Sequence, residues 1–193
     1  MTKNRLEAFS DGVLAIIITI MVLEFKVPND ATFESVVKLS HKFLSYILSF
    51  IYVGIYWNNH HHLLQTAKNV NGKILWANLH LLFWLSLIPF ATAWIGEHHF
   101  ASFPMMLYGI ILLMNGIAFN ILQFTIIKHH GKDSILYKAV GKDFKGKASV
   151  VLYLIAVFLT KYYPIASGCI YILVALMWLV PDKRIEKVLE ENN

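Results

Sequence analysis

The chain is poor in charge and almost free of cysteine. Only 15% of its 193 residues are Asp, Glu, Lys or Arg, where a soluble globular domain carries about 25%. With 57% apolar residues and a mean hydropathy of +0.56, this excludes an ordinary soluble fold. It excludes a disordered chain too, because such chains lack the aromatic residues that abound here, 13 Phe, 9 Tyr and 5 Trp. The one cysteine, Cys169, lies inside an apolar run, so there is no disulfide framework and no paired-cysteine metal site. Internal repeats, low-complexity tracts and a separable soluble domain are also missing. What remains is a composition suited to lipid. The net charge of +5 and the pI near 9.2 do not point to nucleic acid, because the basic residues flank apolar runs and so speak of membrane topology.

A helix needs about 20 mostly apolar residues to cross the hydrocarbon core. Uncharged stretches of that order run over 43–64, 74–95 and 100–127, and the first of these ends in Asn58, Asn59 and three histidines, near a membrane face. Residues 148–180 hold a single charge, Lys161, beside Tyr162-Tyr163-Pro164. That run is too long for one span, so a tight helical hairpin is expected, with Lys161 snorkelling at its turn. The first apolar run has only 12 uncharged residues between Asp11 and Glu24. A spanning first helix must therefore begin near Arg5 and carry Glu7, Ser10 and Asp11 to membrane depth. Those acidic residues, and the lack of a small-x-small cleavage site, argue against a cleaved signal peptide.

The reading is an all-α membrane protein, one transmembrane domain over 1–193, with six spans near 5–25, 38–65, 72–96, 100–128, 146–162 and 164–181. If both termini share a side, that side collects 13 of the 17 Lys and Arg and the other side 4. The positive-inside rule then makes both termini cytoplasmic, in a multi-pass protein of the plasma membrane. The basic stretch from Lys128 to Lys147 serves first to fix that topology.

A charge inside a span costs at least about 2.5 kcal/mol near the centre, so it faces a bundle interior or a water-filled path. The run Arg5-Leu6-Glu7-Ala8-Phe9-Ser10-Asp11 is therefore the most informative stretch. At about 100° per residue, Gly12, Ile16, Thr19, Ile20 and Leu23 form one stripe. Ser10 and Asp11 point off it, and Asp11 must find partners on neighbouring helices. On spacing alone, a capped helix entrance with a structural network and a functional charged site stand equally open. The nine histidines include adjacent pairs at His98-His99 and His129-His130 but no i,i+4 pair and no carboxylate in ligand register, which favours supporting roles over metal ligation.

The carbonyl filter Thr-Val-Gly-Tyr-Gly is absent. The nearest string, Tyr52-Val53-Gly54-Ile55-Tyr56, lacks the first threonine and the last glycine and falls in mid-helix. Gly109, Gly116 and Asn120 share a face that permits close helix approach. Pro89 and Pro104 read as bends.

Arg5-x-x-x-Phe9-Ser10-Asp11 at the start of the first helix, with the exit Glu24, Lys26, Pro28 and the six-span length, resembles the prokaryotic relatives of the lysosomal potassium channel transmembrane protein 175. The resemblance implies a homotetramer in which the first helix of each subunit lines a central pore. Its pore positions would be Ile16, Thr19, Ile20 and Leu23, the stripe already found. Ile16, Ile20 and Leu23 would close the pore as apolar rings, and Thr19, the one hydroxyl near the narrow part, would carry what selectivity there is. The motif residues Arg5, Phe9, Ser10 and Asp11 would be held by polar residues of the second and third helices. Candidates are Trp57, Asn78 and one of His60, His61 and His62, with His61 favoured. Such a protein is not an enzyme and needs no cofactor or resident metal. Its partners are copies of itself, monovalent cations with potassium as the permeant ion, and the bilayer, with no nucleic acid. The alternative is a proton- or cation-coupled transporter using Asp11 and the histidines as a relay, although the internal pseudo-symmetry common in transporters is not found. An intramembrane His-box metalloenzyme would need clustered histidines that are missing.

Overall fold

Local signals set the helix ends in the computed structural model, which describes residues 2–131, 133–134, 136–137 and 143–179. Of the described residues 82% are helical and none is in a strand. In chain order the helices are α1 (Lys3–Leu23), α2 (Phe33–Val37), α3 (Ser40–Gln65), α4 (Gly72–Ser86), α5 (Ile88–Glu97), α6 (Ser102–His130), α7 (Phe144–Leu159) and α8 (Pro164–Leu179). Asn71 caps α4 by accepting the Ile74 N–H at 3.0 Å, and Asp143 caps α7 through the Gly146 N–H at 3.2 Å. At its other end α6 stops at Gly131, whose φ of +83° suits glycine, after a basic last turn of Lys128, His129 and His130.

Two features differ from the sequence expectation. One helix was expected over 72–96, and two are found, because Pro89 lacks the N–H that would bond the carbonyl of Leu85 and its ring crowds that carbonyl. The chain tightens at Leu87, whose N–H turns back to Trp84 at 3.3 Å, and restarts as α5. The link after α1 also contains the short α2, five residues that no helical periodicity can reveal. Of the residues expected on the basic side, Lys132, Lys138, Lys142, Lys183, Arg184 and Lys187 lie outside the described residues, as does the end of the last expected span at 180–181.

α1 lies at the edge of the bundle against α3, α4 and α5, while α6 packs on α4, α5, α7 and α8. The hairpin of α7 and α8 closes on itself through Ser167, whose hydroxyl donates to the carbonyl of Ala156 at 2.9 Å. At its turn the Lys161 ammonium stands 5.5 Å from the Tyr162 ring centre. Gly109 allows α8 to approach α6, since a Cβ there would stand 2.0 Å from the Tyr171 hydroxyl, which donates to the Met105 carbonyl. A Cβ on Gly116 would make only ordinary contact with Tyr153, and the Asn120 amide bonds its own helix at Gly116. Between α3, α5 and α6 a buried hydroxyl chain links Thr92 to Ser49 at 2.7 Å and Ser49 to Tyr108 at 2.9 Å. Buried polar groups in an apolar bundle need such partners.

Among the described residues three stretches are long and apolar enough to cross a membrane, Lys3–Leu23, Gly72–Glu97 and Ser102–His130, and Pro164–Leu179 is a shorter apolar helix. α3 is less apolar because its last third carries Asn58, Asn59 and the three histidines, of which Asn59 and His60 are buried in the bundle.

Candidate functional site

The sequence LEAFSDG winds as the first turns of α1 and places its polar residues on two different sides. Ser10 is fully buried against α4. Its hydroxyl donates to the Leu6 carbonyl at 2.8 Å and accepts from the Asn78 amide at 2.9 Å. With that amide committed to Ser10, the Asn78 oxygen faces His60 Nε2 at 2.7 Å, which makes Nε2 the protonated ring nitrogen. A directed chain thus runs from α3 through α4 to α1: His60 donates to Asn78, Asn78 to Ser10, and Ser10 to Leu6.

Asp11, nearer the surface, accepts from the indole N–H of Trp57 on α3 at 3.0 Å. His61 does not join the Ser10 chain. Its Nδ1 lies 2.9 Å from the Glu7 carboxylate, its Nε2 lies 2.8 Å from the Gln65 amide nitrogen, and its ring stacks on Trp57. Lys3 adds a further tie, donating to the Gln65 carbonyl at 3.2 Å. The triple histidine thus divides by helix geometry. His60 points inward to Asn78, and His61 points along α1 to Glu7. Glu7, Gln65 and Lys3 were not among the sequence candidates. The signal was the i,i+4 spacing of His61 with Gln65 and of Glu7 with Asp11, which lines each pair up along its helix.

Arg5 and Phe9 are not brought to these partners. Both are exposed, on the uncovered side of α1 that continues through Gly12, Ile16, Thr19, Ile20 and Leu23. Ile16 is 58% exposed, Ile20 42% and Leu23 78%, while Leu6, Leu14, Ile17 and Met21 on the other side are buried. Thr19 donates its hydroxyl proton to the Ile16 carbonyl, three residues back, at 2.9 Å, which leaves the oxygen lone pairs free. Beside this stripe, α1 and α4–α5 enclose an open groove of about 450 Å³ lined by Val13, Ile16, Ile20, Ser86, Phe90 and Ala93. The filter-like string Tyr52 to Tyr56 is helical, and the Tyr52 hydroxyl bonds the Tyr171 carbonyl, so its backbone offers no ring of free carbonyls. Among the described residues no three His, Cys, Asp or Glu side chains converge on one point.

Comparison with known proteins bears on this geometry directly. The family described as "Endosomal/lysosomal potassium channel TMEM175" matches residues 5–89, the stretch that holds the exposed stripe and the residues of the Ser10 and Asp11 contacts. A Chryseobacterium sp. (strain P1-3) protein named as a potassium channel is 59% identical over 192 residues, covering 100% of both chains. The chain belongs to the TMEM175 family. Its fold is similar to the crystal structure of a lysosomal potassium-selective channel TMEM175 homolog from Chamaesiphon minutus, with a TM-score of 0.80 and 30% identity over 93% of this chain and 97% of that one. A Gallus gallus relative named as the endosomal/lysosomal proton channel TMEM175 is 29% identical over 65% of this chain and 25% of its own length. TMEM175 relatives are thus named as channels, and the helices here have the length and apolarity of a membrane protein.

Proposed function

We propose that the chain is one subunit of a homotetrameric, potassium-permeable cation channel whose central pore is lined by α1 of each subunit. The observation that carries this reading is how little of α1 its own bundle covers. Only 28% of its most apolar window is buried, against 50% for 72–97, and the uncovered residues form the single stripe from Arg5 to Leu23. One small chain leaves little room for an internal pore. Copies related by a rotation axis cover the stripe by bringing α1 to that axis, and the groove beside Ile16 and Ile20 offers a seat for a neighbouring helix.

In this arrangement Ile16, Ile20 and Leu23 form three apolar layers that expel water, and an ion meets a barrier where no ligand replaces its hydration. Thr19 supplies the hydroxyl oxygens of the stripe. Ser10, Asn78 and His60, with Asp11 on Trp57, hold α1 in place from behind and stay out of the ion path. Six spans with both termini in the cytoplasm accord with the charge asymmetry of the sequence and with an N-terminal motif anchored at the level of Gln65. Potassium as the permeant ion is supported by the names of the bacterial relatives, and no cofactor is required.

The test is current through purified protein in a planar bilayer under opposed potassium and sodium gradients. Reversal at a potential that follows potassium is the expected result. Vertebrate relatives named as proton channels make proton conduction the second reading, and reversal that follows a pH gradient instead would favour it. Saturable counterflow with no current at any voltage would replace both with a transporter.

A further inference from the structure

At the end of the bundle that carries the N-terminus, the link between α3 and α4 is tied to the last turn of α6 by two histidines. His129 Nε2 lies 2.7 Å from the Asn69 side-chain oxygen, and its Nδ1 lies 3.0 Å from the Asn71 amide nitrogen. Asn71 cannot turn that amide over without loss, because its oxygen caps α4 by accepting the Ile74 N–H at 3.0 Å. His129 therefore donates through Nε2 and accepts through Nδ1. His130 is fixed by main chain: its Nε2 accepts the Lys68 N–H at 3.1 Å and the Asn69 N–H at 3.5 Å, while its Nδ1 donates to the Ile126 carbonyl at 3.0 Å. A backbone N–H has no second orientation. Each ring thus needs one bare nitrogen, and a protonated imidazole has none.

We propose that His129 and His130 form a proton-operated latch, shut while either ring keeps its ties and released when both have taken up a proton. His61, on the same side of the bundle, is the internal contrast. Its Nδ1 meets the Glu7 carboxylate, and its Nε2 meets Gln65, an amide whose rotation would present oxygen instead of nitrogen, so His61 keeps both contacts in either state. Around the latch the described charged groups are Lys68 in the held link, Lys73 at the start of α4, Lys128 on α6 and Asp133 just past Gly131. From α7, Asp143 is bonded to Gln123, and Lys145 stands over the Trp178 ring. Of the described charged groups nearest in sequence three are ammonium and one is a carboxylate, so a charged ring also repels the link it held.

The held link begins directly after Gln65, the residue that takes Lys3 on its carbonyl and His61, partner of Glu7, on its amide. Release therefore loosens the anchor at the start of α1 and makes conduction sensitive to acid on that side. This consequence rests on the pore reading above. The latch does not.

The test is hydrogen–deuterium exchange of the full-length protein in lipid nanodiscs, at about pH 7.5 and about pH 5.5, corrected for the chemical exchange rate with an unstructured peptide. Protection of the segment 66–71 is expected to fall about tenfold at the lower pH while the interiors of α4 and α6 keep theirs. Asn71→Asp retains a capping oxygen for α4 and offers a carboxylate to a protonated His129 Nδ1, so this variant should keep most of the protection at the lower pH. A role in packing alone does not give that rescue. Unchanged protection in the natural chain overturns the latch, as does an equal acid-induced loss in a His129→Gln, His130→Gln double variant. If the double variant is already unprotected at the higher pH, Asn71→Asp decides, and its failure to retain protection overturns the proposal.

Discussion

On α1, Leu6, Leu14, Ile17 and Met21 are buried against α3, α4 and α5, whereas Phe9, Ile16, Ile20 and Leu23, just as apolar and often only one residue away, lie uncovered. In water such a difference would need explaining, because apolar surface drives its own burial. In lipid the hydrocarbon is as good a neighbour as another leucine, so apolarity does not choose the packed face. The choice falls to the polar atoms. Ser10 is on the packed side, where Asn78 waits with an amide, and on the uncovered side the one hydroxyl, Thr19, is satisfied by its own helix. The two faces should therefore answer mutation differently: the packed face through assembly and stability, the uncovered face through conduction.

The largest effect is expected at the polar tie. Asn78→Leu leaves His60 Nε2 buried without a partner, at about 1–3 kcal/mol, and takes from the Ser10 oxygen the donor it accepts, leaving only its bond to the Leu6 carbonyl. It should sharply lower the yield and thermal stability of assembled protein, measured by size-exclusion chromatography with a heating series. Assembled, thermally unaltered protein from Asn78→Leu would break the comparison at its root.

The glycines give the next contrast. A methyl on Gly109 meets the Tyr171 hydroxyl at 2.0 Å, while a methyl on Gly12 meets nothing within 4 Å. Gly109→Ala should destabilise the subunit by about 1–3 kcal/mol, because α8 must move away or Tyr171 must give up its bond to Met105. In the monomer Gly12→Ala costs no contact and favours the helix by up to about 1 kcal/mol. If Gly12→Ala instead prevents assembly, Gly12 lies in a close helix contact between subunits rather than on an open pore wall.

How much of this was legible in the sequence depends on whether one helix or two had to be known. The stripe from Gly12 to Leu23 and the exclusion of Ser10 and Asp11 from it follow from the turn of a single helix, so counting residues suffices. The histidine that serves Ser10 does not follow in that way. His60, His61 and His62 fan over about 200° of α3, and only the seat of α4 decides that His60 meets Asn78 while His61, favoured from the sequence, meets Glu7. The break at Leu87 was half legible, since Pro89 announces a disturbance without saying whether a helix bends or restarts. The ties of His129 and His130 to Asn69, Asn71 and Lys68 join residues about sixty positions apart, beyond any local pattern.

A smaller change in stability and a larger one in current are expected at Ile20. Ile20→Asn puts an amide on the uncovered face, where it breaks no contact of the packed side, so stability should stay within about 0.5 kcal/mol. Wetting one of three apolar layers lowers the barrier to a hydrated ion, and unitary conductance or leak should rise severalfold in the bilayer assay. Unaltered currents with asparagine, serine or alanine at Ile16, Ile20 and Leu23 would remove α1 from the ion path.

The smallest expected effect, and the sharpest, concerns Thr19. Its hydroxyl spends the proton on the Ile16 carbonyl at 2.9 Å, so the oxygen turns only lone pairs outward. The bond to the helix and a role toward cations are therefore compatible, and the first prepares the second by fixing which way the oxygen faces. A ring of such oxygens replaces part of an ion's hydration shell. Valine has nearly the same volume and no oxygen. Thr19→Val should therefore assemble normally and lose less than about 1 kcal/mol, the worth of one exposed hydrogen bond. The ratio of potassium to sodium permeability should fall about threefold, read from reversal potentials in the same bilayers. A fall in the ratio with assembly intact would assign the discrimination to side-chain oxygens on the uncovered face of α1. An unchanged ratio would leave it to the width of the pore and the cost of dehydration at the apolar layers, and Thr19 would then be a helix residue that bonds its own backbone and nothing more.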